Sequence, residues 1–110
     1  MPWEHRNTVS AEKIGRSLKV LVVDDEPLIA MGISDMLEDL GHESASVYSA
    51  KEALDLLGTA KFDLIITDQT MPDMTGAALA QEAMKLYSGV MVFLSTGHST
   101  IDEEIGRAHV

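Results

Sequence analysis

The sequence predicts an α/β fold in which helices cover both faces of a parallel β-sheet. Three observations support this fold class. The chain has 110 residues, the length of a single domain. Short apolar segments alternate with segments of helical periodicity, in the order βαβαβαβα. Several short segments are apolar on both faces, as buried parallel strands are, and right-handed crossovers then place helices on the two sides of the sheet.

The first βα unit carries the clearest local signals. Residues 20–23 are a continuous run of Val and Leu stopped by acids, which predicts a buried strand. Pro27 suits the first turn of a helix, and apolar residues at helical spacing follow it: Ile29, Ile33, Met36, Leu37 and Leu40. Gly41 is expected as the residue that ends this helix.

Two further units repeat this pattern. Residues 44–48 predict a weak second strand, and Ser49 is expected to cap a short helix that ends near Gly58. Residues 62–67 predict a third, strongly apolar strand, which is again stopped by an acid, Asp68.

The fourth unit follows a loop that contains Pro72 and Gly76. A helix is expected on the apolar residues Leu79, Ala83 and Leu86. Residues 90–95 predict the fourth strand, and a last helix is expected to carry Ile101 and Ile105. We interpret residues 1–18 as a flexible N-terminal arm, with a short helix over residues 11–14, and residues 19–110 as the domain.

Charge and composition exclude several classes of function. With 18 acidic and 8 basic residues the net charge is −10, which disfavours binding to nucleic acids or anionic membranes and suits a divalent cation or a basic partner. The absence of cysteine excludes disulfides, thiolate catalysis and zinc–sulfur sites. The first residues lack an apolar signal core, and the longest apolar run, residues 90–94, is too short to span a bilayer, so we expect a cytoplasmic protein.

Acidic residues follow the first and third predicted strands. Asp24, Asp25 and Glu26 come directly after the first, and Asp68 follows the third. If these strands are neighbours, the carboxylates meet at the edge where parallel sheets bind ligands. Such a cluster predicts Mg²⁺ and phosphate chemistry, with a carboxylate as nucleophile. Acids also follow buried strands merely because they end them, so the pair Asp24–Asp25 alone leaves both interpretations open.

Three motifs, in order and at consistent spacing, resemble those of response-regulator receiver domains. The run VLVVDDEP at residues 20–27 resembles the first strand and acidic pair of that family. The run FDLIITDQTMPDMTG at residues 62–76 resembles the phosphoacceptor strand and its loop. The run VFLSTGH at residues 92–98 resembles the strand that ends in the switch hydroxyl. The resemblance implies a flavodoxin-like doubly wound sheet of order 2-1-3-4(-5).

The resemblance also implies a role for individual residues. Asp68 would accept a phosphoryl group, and Asp25, Asp68 and the backbone carbonyl of Thr70 would ligate Mg²⁺. Asp24 would hold a metal-bound water, and the Thr96 hydroxyl would sense the phosphoryl group. The pocket is expected to be lined further by three polar residues: Glu26, Gln69 and His98.

The chain also departs from the family. Receiver domains carry a lysine after their fifth strand, and no lysine of this sequence can be assigned to that position. A fifth βα unit is missing as well, which is expected to leave the fourth strand at an edge and to expose part of the Ile29, Ile33 and Met36 stripe. We expect a truncated chain, a cleavage product, or a chain completed by homodimerisation or segment exchange.

These observations lead to one leading function and two alternatives. The leading function is two-component signal transduction, in which Asp68 accepts a phosphoryl group from a histidine kinase or a histidine phosphotransfer domain. Apart from dephosphorylating itself, such a domain is not expected to be an enzyme. The first alternative is a phosphorylation-independent interaction or dimerisation module, which the missing lysine favours. A metal-dependent hydrolase is the second alternative, but the sequence offers no separate general acid for it.

Overall fold

The computed structural model describes residues 10–95 of the chain. Within them, four helices and four strands follow one another: α1 (Ala11–Ile14), β1 (Lys19–Val23), α2 (Pro27–Asp39), β2 (Glu43–Val47), α3 (Ala50–Leu57), β3 (Leu64–Asp68), α4 (Gly76–Leu86) and β4 (Met91–Ser95). This order confirms the alternating pattern. The expected helix around Ile101 and Ile105 lies outside the described residues.

The four strands form one parallel sheet in the order β2-β1-β3-β4, as predicted. Val23, the last residue of β1, pairs with Val47 of β2 and with Thr67 of β3. Asp68, the last residue of β3, pairs with Ser95 of β4. Because all four strands run in the same direction, the residues that follow β1 and β3 emerge side by side at one edge of the sheet.

Helices cover both faces of the sheet, and alternate residues of β1 divide the core in two. Leu21 and Val23 pack with Leu57 of α3 and Leu79 of α4 on one face. On the other face Val20 and Val22 pack with residues of α2, including Ala30 and Leu37. The fold is therefore the expected doubly wound one, built on a strand whose last four residues are at most 1% exposed.

Local signals placed the helix ends correctly. Pro27 begins α2, and Gly41 follows its C-cap with a φ of 92°, a left-handed conformation that favours glycine. Ser49 caps α3 by accepting a hydrogen bond from the backbone N–H of Glu52, as predicted.

All four strands differ from their predicted bounds by one or two residues. The first begins at residue 19 instead of 20, and the fourth begins at residue 91 instead of 90. The second strand covers residues 43–47 instead of 44–48. The third covers residues 64–68 instead of 62–67, because Phe62 is buried in the core without pairing in the sheet, whereas Asp68 pairs with Ser95. The apolar side chain of Phe62 made it resemble a strand residue in the sequence, but the bounds of a strand follow the pairing of its backbone groups.

Within the predicted arm, α1 contacts the end of α2. The backbone N–H of Ala11 donates to the carbonyl of Leu40 at 2.8 Å, and Ser10 is buried. Residues 1–9 lie outside the described part of the chain, so the arm's flexibility stays a prediction. No helix among residues 10–95 is long and apolar enough to cross a bilayer.

An apolar groove of about 340 Å³ lies between α2 and β4 on the face of the sheet that α2 covers. Residues from five elements and from the α1–β1 and α2–β2 connections line it, among them Ile14, Leu18, Met36, Leu64, Met91 and Phe93. Three of these side chains are more than half exposed: Met36 by 55%, Met91 by 70% and Phe93 by 62%. Part of the predicted apolar stripe, at Met36, is therefore accessible in the described structure.

Candidate functional site

Asp24 is fixed where β1 ends and the turn to α2 begins. Its backbone N–H donates to the carbonyl of Val47 at 3.1 Å, so the residue continues the line of the sheet. Its carboxylate accepts a hydrogen bond from the N–H of Glu26 at 2.9 Å, which closes a short turn. The side chain is thereby oriented inward and is only 3% exposed, whereas the next residue, Asp25, is exposed.

Asp68 is held by the end of β3. It is 8% exposed, and its carbonyl accepts a hydrogen bond from the hydroxyl of the buried Thr67 at 3.0 Å. The N–H of Thr70 lies 3.4 Å from one of its carboxylate oxygens. The carboxylate is thus placed by a strand and by the turn that follows it, which leaves little freedom for its backbone.

The acids after β1 and β3 converge as the sequence analysis expected. One carboxylate oxygen from each of Asp24, Asp25 and Asp68 lies within 4.8 Å of the others. The pKa of Asp24 is raised above its ordinary value of 3.8, first because burial removes the carboxylate from water, and further because Asp68, Asp25 and Glu26 carry like charges. The hydrogen bond from the Glu26 N–H opposes this rise.

This donor set fits a hard divalent cation. Its ligand atoms are carboxylate oxygens, which such ions prefer, and their number leaves positions for waters and a phosphate oxygen. Burial is the main cause of the raised pKa of Asp24, and the like charges of Asp68, Asp25 and Glu26 add to it; a cation bound here would offset that repulsion. The three aspartates can therefore hold a metal ion, and two of them, Asp24 and Asp68, are buried.

The loop after Asp68 approaches β3 so closely that it requires a glycine. The N–H of Gly76 donates to the carbonyl of Gln69 at 2.9 Å and closes the base of the loop. A Cβ atom at Gly76 would lie 2.5 Å from the Asp68 carbonyl oxygen and 3.0 Å from the Gln69 Cα. Both atoms belong to the backbone and cannot move aside, so any larger residue would displace the segment that holds Asp68.

The remaining predicted site residues are placed as follows. Glu26 is exposed at the N-cap of α2. Gln69 is half-buried, and its side-chain oxygen accepts a hydrogen bond from the N–H of Ala77 at 2.9 Å. Thr70 is exposed beside Asp68. Thr96 and His98 lie outside the described residues, so their roles stay predictions.

Sequence reasoning missed Asp73, whose carboxylate reaches a helix elsewhere in the fold. It accepts hydrogen bonds from the backbone N–H groups of Ala50 and Lys51, at 3.4 and 3.0 Å, at the first turn of α3. The Lys51 N–H is the main cause of the lowered pKa of Asp73. No local signal could have revealed this contact, because the partners precede Asp73 by more than 20 residues.

The comparison with known families agrees with this geometry. The family model of the response regulator receiver domain matches residues 20–108. Among curated proteins, a response regulator receiver protein of Anaeromyxobacter sp. (strain Fw109-5) is 34% identical over 84 residues, which are 76% of this chain and 35% of that protein. The response regulator protein FleR of Pseudomonas aeruginosa is 36% identical over 87 residues, which are 79% of this chain and 18% of that protein. The chain thus spans about a third or less of these relatives.

Solved structures support the same fold. A response regulator receiver domain protein from Clostridium thermocellum superposes with a TM-score of 0.69 and 32% identity, covering 84% of this chain and 75% of that one. The chemotaxis response regulator CheY4 of Vibrio cholerae gives a TM-score of 0.67 and 32% identity, covering 79% and 77%.

Proposed function

The chain belongs to the family of response regulator receiver domains, and from this premise we propose that Asp68 accepts a phosphoryl group from a phosphohistidine of a partner protein. The observation that carries the proposal is the convergence of Asp24, Asp25 and Asp68 within 4.8 Å of one another at the carboxyl edge of the sheet. Members of the family act in two-component signal transduction by phosphorylation, and this chain has the carboxylate and the charge arrangement for that chemistry.

The transfer needs little covalent machinery from the protein. A carboxylate oxygen of Asp68 forms a bond to phosphorus while the bond from phosphorus to the donor imidazole nitrogen breaks, and its electron pair stays on that nitrogen. The backbone of Asp68 is fixed by its pairing with Ser95 and by the Thr67 hydroxyl, so the nucleophile is positioned before the donor arrives.

We propose that Asp25, Asp68 and the carbonyl of Thr70 hold Mg²⁺ directly, and that Asp24 holds it through a water. When bound, the ion would neutralise charge on the phosphoryl oxygens and on the carboxylates. Asp24 suits an indirect role because its carboxylate is buried and already accepts a hydrogen bond from Glu26. Asp25, which is exposed, is the acid that a solvated ion can reach first.

The response to phosphorylation is proposed to pass through Thr96. Ser95, the residue before it, pairs with Asp68, so the chain leaves β4 directly beside the phosphoacceptor. Two lysines of the described residues, Lys19 and Lys61, lie near the amino end of β1 and before β3, at the opposite edge of the sheet. Neither is therefore placed to neutralise a phosphoryl group on Asp68.

A histidine kinase or a histidine phosphotransfer domain is the proposed partner. A solved complex of the histidine kinase ThkA with the response regulator protein TrrA contains a chain 31% identical to this one, with a TM-score of 0.67 over 74% of this chain. That complex supports a kinase as the donor. The approach of a phosphohistidine requires an open rim beside Asp68, and the exposed Asp25 and Thr70 provide one.

A phosphorylation-independent interaction or dimerisation module is the second candidate. The apolar groove between α2 and β4 favours it, because Met91 and Phe93 are large apolar side chains that are more than half exposed. The two candidates use different parts of the molecule, so a single set of variants can separate them.

The test is incubation with Mg²⁺ and acetyl phosphate, followed by mass spectrometry of the intact protein. We expect the mass gain of one phosphoryl group in the wild type and in the matched control Asp55→Asn, which changes an exposed acid on α3. Asp68→Asn is expected to show none. An adduct that persists in Asp68→Asn, or no adduct in the folded wild type, would contradict the proposal. Steady turnover of unrelated phosphate esters would instead indicate a hydrolase.

A further inference from the structure

We propose that Asp73 is a positioning residue for the metal site: it ties the loop after Asp68 to the N-terminus of α3, and so holds the Thr70 carbonyl where Mg²⁺ can use it. This inference rests on the proposed function, since it concerns the same site. Asp73 is not one of the three aspartates of the acidic cluster, and we propose that it acts on the metal site from outside that cluster.

The first argument comes from the N-terminal amides of α3. An α-helix begins with N–H groups that have no partner inside the helix. In α3 the N–H of Glu52 is bonded by the side chain of Ser49, at 3.1 Å. The N–H groups of Ala50 and Lys51 are bonded by the carboxylate of Asp73. Asp73 therefore caps a helix from a distant part of the chain, beside the local cap supplied by Ser49.

The second argument comes from the way the loop is attached. Its base is closed by the hydrogen bond from Gly76 to Gln69, and Met71 anchors it in the core with 7% exposure. Thr75 caps α4 through the N–H of Ala78. Between Met71 and Thr75, the hydrogen bonds of Asp73 fix the tip of the loop to α3.

The third argument is electrostatic. The N-terminus of a helix carries a partial positive charge, which suits the Asp73 carboxylate, and its lowered pKa agrees with this. The Asp73 carboxylate therefore stays charged through the pH range in which carboxylates bind Mg²⁺. Thr70 lies three residues from this anchor, a reach of about 10 Å in extended chain. Because Mg²⁺ demands near-ideal octahedral geometry, a carbonyl that drifts with its loop is a poor ligand.

The experiment compares Mg²⁺ affinity among three variants and the wild type, by following backbone amide chemical shifts as Mg²⁺ alone is added. Asp73→Ala removes both the tether and the charge. Asp73→Asn removes the charge but keeps one oxygen that can accept from the N–H of Lys51. Ser49→Ala is the matched control, because it removes a cap from the same helix without touching the loop.

We expect Asp73→Ala to bind Mg²⁺ roughly 10-fold more weakly or worse, the usual loss when a group that orients a ligand is removed. Asp73→Asn should lose much less, and Ser49→Ala should stay close to the wild type. In Asp73→Ala, amide hydrogen exchange should also accelerate at Ala50, Lys51 and Thr70 together, while in Ser49→Ala Thr70 should remain protected as in the wild type.

Three results would overturn the inference. Equal affinity in Asp73→Ala and the wild type would show that the tether does not matter. An equal loss of Mg²⁺ affinity in Asp73→Asn and Asp73→Ala would show that the charge of Asp73, not its hydrogen bonds, causes the effect. An equal loss of affinity in Ser49→Ala would show that the stability of α3 causes it. A wild-type protein that binds no Mg²⁺ would instead refute the proposed metal site itself, and this inference with it.

Discussion

Individual aspartates of this protein differ in the direction of their pKa shifts, and each direction follows from the neighbours. The pKa of Asp24 is raised because the side chain is buried among like charges. The pKa of Asp63 is lowered, first by the hydrogen bond from the Lys19 N–H at 2.8 Å and also by the charge of Arg16. Asp24 belongs to the acidic cluster, whereas Asp63 fixes the start of β1 through its hydrogen bond with Lys19.

The raised pKa of Asp24 predicts how the metal-free protein responds to pH. Around this pKa the folded state binds more protons than the unfolded state, so the contribution of Asp24 to stability falls as the pH rises from 3.8 through the raised value. Asp24→Asn, which keeps an acceptor for the Glu26 N–H, should therefore melt a few degrees higher than the wild type at neutral pH without Mg²⁺. The gap should close as the pH falls towards 3.8.

Asp63→Asn is the control with the opposite sign. A lowered pKa contributes stability that is present above the ordinary value of 3.8 and is lost as the pH falls through the folded value. This variant should therefore melt lower than the wild type at neutral pH, and its deficit should shrink in acid. Thermal melts of both variants across this range check the signs, and two parallel curves would contradict them.

Whole elements were predictable where a local residue sets their ends. Pro27, Gly41 and Ser49 placed the ends of α2 and α3, because caps act on amides and carbonyls within a few residues. The acidic cluster was predictable because a parallel sheet carries the residues after β1 and β3 to one edge. The bounds of β3 and the bonds of Asp73 were not, because both depend on partners far away in the sequence.

Two glycines associated with α2 should respond to alanine in opposite directions. Gly41 has a φ of 92°, and a Cβ there would lie 3.0 Å from the Cβ of Ala11 in α1, so Gly41→Ala should cost about 1–2 kcal/mol. Gly32 lies in the exposed part of α2 with nothing within 4 Å of an added Cβ, so Gly32→Ala should stabilise by about 0.5–1 kcal/mol. Urea unfolding measures both, and a loss in Gly32→Ala would contradict this account.

At the scale of the whole molecule, the hydrophobic core and the acidic cluster lie in different parts of the fold. The larger core cluster packs β1 and β3 against α3 and α4, and residues such as Leu57 and Leu79 are fully buried in it. The acidic cluster lies at the carboxyl edge of the same sheet. Acids at that rim can therefore be changed to amides without removing core contacts, which makes the site variants proposed above informative.

Burial within α4 predicts the cost of truncating its side chains. Leu79 is fully buried, so Leu79→Ala should destabilise the fold by about 2–5 kcal/mol, a large part of the total for a domain of this size. Met84 lies in the same helix but is 48% exposed, and Met84→Ala should cost less than about 1 kcal/mol. Denaturant midpoints monitored by far-ultraviolet circular dichroism compare the two, and similar costs would show that α4 packs differently.

The register of β3 and β4 has a mechanical consequence. Asp68 pairs with Ser95, and the carbonyl of Ser95 accepts a 2.7 Å hydrogen bond from the N–H of Gln69. The peptide group that follows Asp68 is thus hydrogen-bonded to the last residue of the neighbouring strand. If modification of the Asp68 carboxylate rotated this peptide group, the hydrogen bond would transmit the movement to the Ser95 backbone without any side chain having to reorient. Ser95, where β4 ends, is therefore hydrogen-bonded to the end of the strand that carries the Asp68 carboxylate.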